Sequence, residues 1–264
     1  MKQSILLALP ATLLLPALVL AQSAFVGTWK TDVSNNLQMP AKPFEYEVNK
    51  GVFTCKTCVP PVTVPADGQD HAVSGHPYYD TVAVKVVDAN TIEETDKKAG
   101  KAVTTTSYKV SSDGGTAIFD SSDSSASSGA PVQMKFEEQR IASGPAGSHA
   151  ISGSWKAVKF LSASDNGLLV TWSLSGNTLK MTTPIGQSYA APLDGTDVPF
   201  VGDPGQSSIS MKKIDDHTID ETDKRDGKVI GTARLTVSAD GKTMRVVWKD
   251  LLHGMDGSFT NVKQ

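Results

Sequence analysis

The residues with the most obvious chemical potential lie close together in the first third of the chain. Cys55 and Cys58 are the only cysteines, and with His71 and His76 they read Cys-x2-Cys-x12-His-x4-His. Thiolates and imidazoles are the usual ligands of zinc, and this spacing matches that of tetrahedral zinc sites. A DNA-binding finger is excluded, because that module carries its histidines on a helix, and Pro60, Pro61, Pro65, Gly68 and Gly75 punctuate the interval here. Three uses of the cluster stay open: a Cys55–Cys58 disulfide, a zinc site completed by His71 and His76, or redox-active thiols. Zinc is the one cofactor the sequence suggests. Haem attachment is ruled out, since Val59 and not histidine follows Cys58.

Other reactive patterns fail on spacing, and no catalytic residue is assigned. Gly241-Lys242-Thr243 lacks the upstream glycine of a phosphate-binding loop, Thr236 standing in its place. Ser148 and His149 are sequence neighbours, whereas a nucleophile and its base converge from separate elements. The adjacent acids Glu93/Glu94 and Asp215/Asp216 alternate across an extended chain and point apart. Asp67, Asp70, Asp194 and Asp197 offer too few oxygens for calcium and suit turns.

The elements that carry these residues occur twice. Thr91-Ile92-Glu93-Glu94-Thr95-Asp96-Lys97 returns as Thr218-Ile219-Asp220-Glu221-Thr222-Asp223-Lys224, and residues 81–116 match 208–243 at 16 of 36 ungapped positions. The chain is a tandem duplication. Val82 and Val84, Ile209 and Met211, and Met244, Val246 and Trp248 alternate with polar or small residues, the pattern of strands with one buried face. Asp-Gly pairs mark hairpin turns at Asp67, Asp113, Asp194, Asp226 and Asp240. Each copy reads as roughly eight short strands, a complete small barrel or sandwich; one large barrel shared by both copies is the competing architecture. In the repeated charged segment Ile92 and Ile219 are expected inward, with Glu94 facing Lys101 and Glu221 facing Lys228 across a solvated hairpin. The Ser-rich residues 120–131 read as a loop, and residues 142–152 as the linker between domains 22–141 and 153–264.

Lys2, the apolar run from Ile5 to Leu20 and Ala21 have the three parts of a secretory signal peptide, residues 1–21. No later stretch is long and apolar enough for a membrane span, so the expected product is exported, to the bacterial periplasm or beyond. A formal net charge of −3 with interspersed signs excludes a nucleic-acid stripe. No particular protein partner is indicated.

Each copy opens on Gly-x-Trp, Gly27-Thr28-Trp29 and Gly153-Ser154-Trp155, and closes on a strand bearing a basic residue, Arg140 and Lys263. This pattern resembles the lipocalin or calycin superfamily, in which the tryptophan packs against the basic side chain at the closed end of the barrel. The resemblance implies that Trp29 pairs with Arg140 and Trp155 with Lys263. It implies two tandem antiparallel meander β-barrels, a non-enzymatic role and a small apolar ligand. The series Gly-x-Trp-Lys, Asp-Gly-x-Asp, Thr-Ile-x-Glu-Thr-Asp-Lys and Ser-x-Asp-Gly is also similar to exported bacterial proteins of unknown function, a likeness that implies export and a β-fold. A structural or surface-interaction module with filled barrels, and an envelope metal or thiol-redox protein centred on Cys55 and Cys58, are the alternatives.

Overall fold

The alternation of apolar residues with polar ones, broken by glycine-bearing turns, builds strands almost throughout. The computed structural model describes residues 23–34, 37–126 and 129–264, so the signal peptide expected over residues 1–21 lies outside the described residues. The fold is all-β, with twenty strands and a single 3-10 turn, Asp165–Gly167, among the described residues. The first eleven strands are β1 (Gly27–Asp32), β2 (Phe44–Asn49), β3 (Val52–Cys55), β4 (Val62–Pro65), β5 (His71–Ala72), β6 (Thr81–Val86), β7 (Thr91–Lys98), β8 (Lys101–Val110), β9 (Thr116–Asp123), β10 (Val132–Ser143) and β11 (Gly153–Ala163). The rest are β12 (Leu169–Ser175), β13 (Thr178–Thr182), β14 (Ser188–Pro192), β15 (Asp194–Pro199), β16 (Ser208–Lys213), β17 (Thr218–Arg225), β18 (Lys228–Val237), β19 (Thr243–Asp250) and β20 (Met255–Lys263).

They form two separate ten-stranded antiparallel sheets, each curled into a nearly closed barrel, and not one shared barrel. Barrel one is a meander from β2 to β11, open between β4 and β5, with β11 returning to lie beside β2. At its other seam Gly68 N–H donates to Val84 O at 2.8 Å. Barrel two runs from β12 to β20, and its tenth strand is β1, inserted between β12 and β20. Reciprocal 2.9 Å hydrogen bonds between Ser188 and Val201 draw its edges together. Closing a sheet on itself removes the unpaired edges through which β proteins associate.

The barrels therefore do not coincide with the sequence repeats. Each repeat lends its Gly-x-Trp strand to the barrel built from the other, so the division at 142–152 expected from composition is corrected. Those residues are the end of β10 and the hairpin, 144–152, that joins it to β11 within barrel one. The reason is local: with so short a connection, β11 folds straight back along β10, and it takes the place that β1 of the first repeat would otherwise have filled. The Ser-rich loop also starts later than expected. Residues 120–123 belong to β9, and Ser121 is buried. Ten strands per barrel replace the expected eight, the additional ones being as short as His71–Ala72.

The inward face is apolar at the positions that the alternation marks. Val82, Val84 and Ile92 in barrel one and Ile209, Met211, Ile219 and Met244 in barrel two are almost fully buried. Glu94 does not face Lys101. It lies across from Thr106 and Lys101 across from Lys98, just as Glu221 lies across from Ala233 and Lys228 from Arg225. Residues two apart on a strand share a face, so Ile92 carries Glu94 and Asp96 inward with it.

Candidate functional site

One end of each barrel is sealed by the Gly-x-Trp strand. Trp155 donates its indole N–H to Ile151 O at 2.7 Å, and Trp29 does the same to Phe25 O at 2.8 Å. The Arg140 guanidinium sits 4.1 Å from the centre of the Trp155 ring, and Lys263 Nζ 5.1 Å from that of Trp29. These partners are the reverse of the expected Trp29–Arg140 and Trp155–Lys263 pairs, because the strands that carry the tryptophans have changed barrels. Arg140 also donates to Gly114 O, Ala150 O and Ser152 O, which ties three loop carbonyls to one cation. The glycine of the motif is required by this packing. Gly153 has φ of +140°, and a Cβ on it would lie 2.2 Å from Ala142 O; Gly27 has φ of +133°, and its Cβ would lie 2.7 Å from Lys263 Cε.

Above the seal, carboxyl groups enter both interiors. In barrel one Glu94 accepts a hydrogen bond from the Tyr108 hydroxyl at 3.2 Å. Asp96 Oδ1 and both oxygens of Glu138 are buried without a hydrogen bond, and Glu138 is 0% exposed. Burial pushes the Glu138 carboxyl up to about 7. It also holds Glu94 and Asp96 well above the usual carboxylate range, the charge of Glu94 adding to the effect on Asp96. The rest of this interior is aromatic. Tyr46 meets Tyr108 edge-on at 5.2 Å, Tyr108 meets Phe119 at 5.3 Å, and Phe119 stacks on Phe136 at 4.3 Å.

Barrel two keeps two of the three inward acids but not the facing aromatic pair Tyr108 and Phe119. Leu235 and Val246 are paired across β18 and β19 as Tyr108 and Phe119 are across β8 and β9. Asn261, opposite Met244, takes the place of Glu138, opposite Ala117. The smaller side chains leave a cavity of about 340 Å³, lined by Trp172, Tyr189, Phe200, Leu235, Val246 and Phe259 with Glu221 and Asp223 among them. Burial raises the Glu221 carboxyl, with the charge of Asp223 adding to it, and burial raises Asp223 as well. Gln206 Nε2 donates to Asp223 at 2.6 Å. The exchanged strand contributes to this site, since Thr31 on β1 lines the cavity and donates to Asn261 Oδ1 at 2.9 Å. Barrel one reaches its rim too: the Tyr78 hydroxyl donates to Asp203 Oδ1 at 2.8 Å, and Gln187 Nε2 to Asp203 Oδ2 at 3.1 Å.

The cysteine and histidine cluster does not converge. Cys55 and Cys58 are joined in a disulfide, with Cα atoms 5.5 Å apart. His71 Nε2 lies 2.8 Å from Asp67 Oδ1, and His76 stacks on Tyr79 with ring centres 4.5 Å apart. Among the described residues no three His, Cys, Asp or Glu side chains stand together as a metal centre would need. The loop aspartates have partners instead: Asp70 pairs with Lys97 and Asp197 with Lys224, the same contact in both repeats.

The inward carboxyls are what reading the sequence missed. The signal was present in the alternation from Ile92 through Glu94 to Asp96. No family model matches this chain, and no curated protein does.

Proposed function

We propose that the protein is an exported, non-enzymatic, lipocalin-like carrier that holds one small, largely apolar molecule inside barrel two. The observation that carries this reading is the contrast between two barrels of one design. Where barrel one is filled by Tyr108 and Phe119, barrel two has Leu235, Val246 and a cavity of about 340 Å³. A volume of that order suits a small ligand, and binding cavities are typically apolar with a few placed polar groups. Barrel one, with aromatics closing its interior, serves on this reading as the rigid partner that braces the rim through Tyr78 and Asp203.

Trp172 in the cavity wall is the natural reporter. Titration of the wild-type protein with a panel of apolar probes is expected to quench its fluorescence saturably. The double substitution Leu235→Tyr, Val246→Phe, which copies barrel one, should abolish that response while keeping a cooperative thermal transition. A flat response of the wild type across the panel overturns the carrier reading.

A further inference from the structure

The cavity of barrel two has an uneven polar lining. Two carboxyl groups, Glu221 and Asp223, face it, and among the described residues no lysine, arginine or histidine lines it. Asp223 has Gln206 as a donor, but burial and the charge of Asp223 are what act on Glu221, and no donor reaches it among the described residues. A largely enclosed carboxyl without a partner is costly to ionise, and a cation beside it lowers that cost.

A second, independent group also lacks a partner. Trp172 is 5% exposed, lines the same cavity, and its indole Nε1 makes no hydrogen bond. The Tyr189 hydroxyl, which donates to Met211 Sδ 3.7 Å away, stands near enough to accept weakly from it. Buried indole N–H groups are ordinarily fully satisfied, so a well-placed acceptor on a ligand would improve on this contact. The faces of Trp172, Tyr189 and Phe200 are also the surfaces on which an organic cation rests well.

We propose that the ligand of barrel two is an organic amine, its ammonium group seated against Glu221 and Asp223 and its apolar body, bearing a hydrogen-bond acceptor, against Trp172. This rests on the reading of barrel two as a binding cavity and specifies its chemistry. Fatty acids and other carboxylates are disfavoured, because a third carboxyl would be placed beside two. Binding of the ammonium ionises the pair, so at neutral pH a proton leaves Glu221 or Asp223 for solvent. The groups that set this equilibrium are Asp223 on the same strand, Tyr189 on β14 and Asp203 in the loop after β15.

The test is calorimetric titration of the full chain at pH 7 with octylamine and phenethylamine, each beside the alcohol and the carboxylate of the same body. The amines are expected to bind at least about tenfold more tightly than the alcohols, with carboxylates weakest. Repeating the titration in buffers of different ionisation enthalpy should reveal proton release with the amines alone. Glu221→Gln should bring the amines down to the level of the alcohols, both measured on the same variant. Alcohols that bind as tightly as amines, or amine binding unaltered in Glu221→Gln, overturn the amine proposal and leave the carrier reading standing. Failure of every amine, alcohol and carboxylate to bind overturns both.

Discussion

A carboxyl with no partner in a closed barrel is held in its neutral form, and Glu138 is the clearest case, with neither oxygen bonded. Its unfolded value is 4.5 and its folded value about 7. As pH rises past the first, the unfolded chain releases the proton while the folded chain still holds it. Stability is therefore full below pH 4.5 and is lost as pH rises through 7, by on the order of 3 kcal/mol. Glu138→Gln should flatten this dependence, read as urea midpoints at pH 4.5 and pH 8. Parallel losses in variant and wild type would falsify the assignment. A second expectation concerns the Gly-x-Trp glycines. Gly153→Ala forces a Cβ against a backbone carbonyl, whereas at Gly27 it meets the flexible end of Lys263. Both replacements add strain of about 1–3 kcal/mol at a positive φ, and thermal melts should show the greater loss for Gly153→Ala. At this scale the sequence was half legible. Ile92 and Ile219 announced the inward face, but the charges of Glu94, Asp96, Glu221 and Asp223 argued for solvent, and only the strand register shows that position prevails over polarity.

The strands themselves were readable from alternation and from the Asp-Gly turns at Asp113, Asp226 and Asp240, because both are local properties of the backbone, whereas the pairs at Asp67 and Asp194 lie at the barrel seams and not in hairpins. Which strands pair was not, since the Gly-x-Trp segments of the two repeats are alike and either suits either barrel. The choice is made by the hairpin at residues 144–152, which commits β11 to β10. Barrel two then depends on a strand from the other end of the chain. Deleting residues 1–33 should open the gap between β12 and β20 and leave β2 to β11 intact. Hydrogen exchange is the measurement: protection is expected to fall in β12, β20 and the cavity wall and to persist in barrel one. A peptide of residues 23–34 added in trans should restore it. Uniform loss of protection across both barrels would count against the exchanged arrangement.

Considered whole, the molecule joins a filled barrel to a hollow one, and the duplication was the feature most plainly written in the sequence. The division of labour between the copies was not, because it turns on the pairs Tyr108/Leu235 and Phe119/Val246, whose significance appears only once they are seen facing an interior. The two barrels should also respond differently to pH. Calorimetry from pH 5 to pH 8 is expected to lower the unfolding temperature of barrel one more than that of barrel two, which has Asn261 in place of a third acid. The exchange of first strands bears, finally, on the order of events during synthesis. Every strand of barrel one is present once residue 163 has emerged, so that unit can close while the rest of the chain is still being made. The strand made first has the longest wait, since Thr31 and its partner Asn261 are 230 residues apart. Until the last strand appears β1 has only β12 to lie beside, and an interrupted chain carries a strand edge without a partner as the mark of its incompleteness.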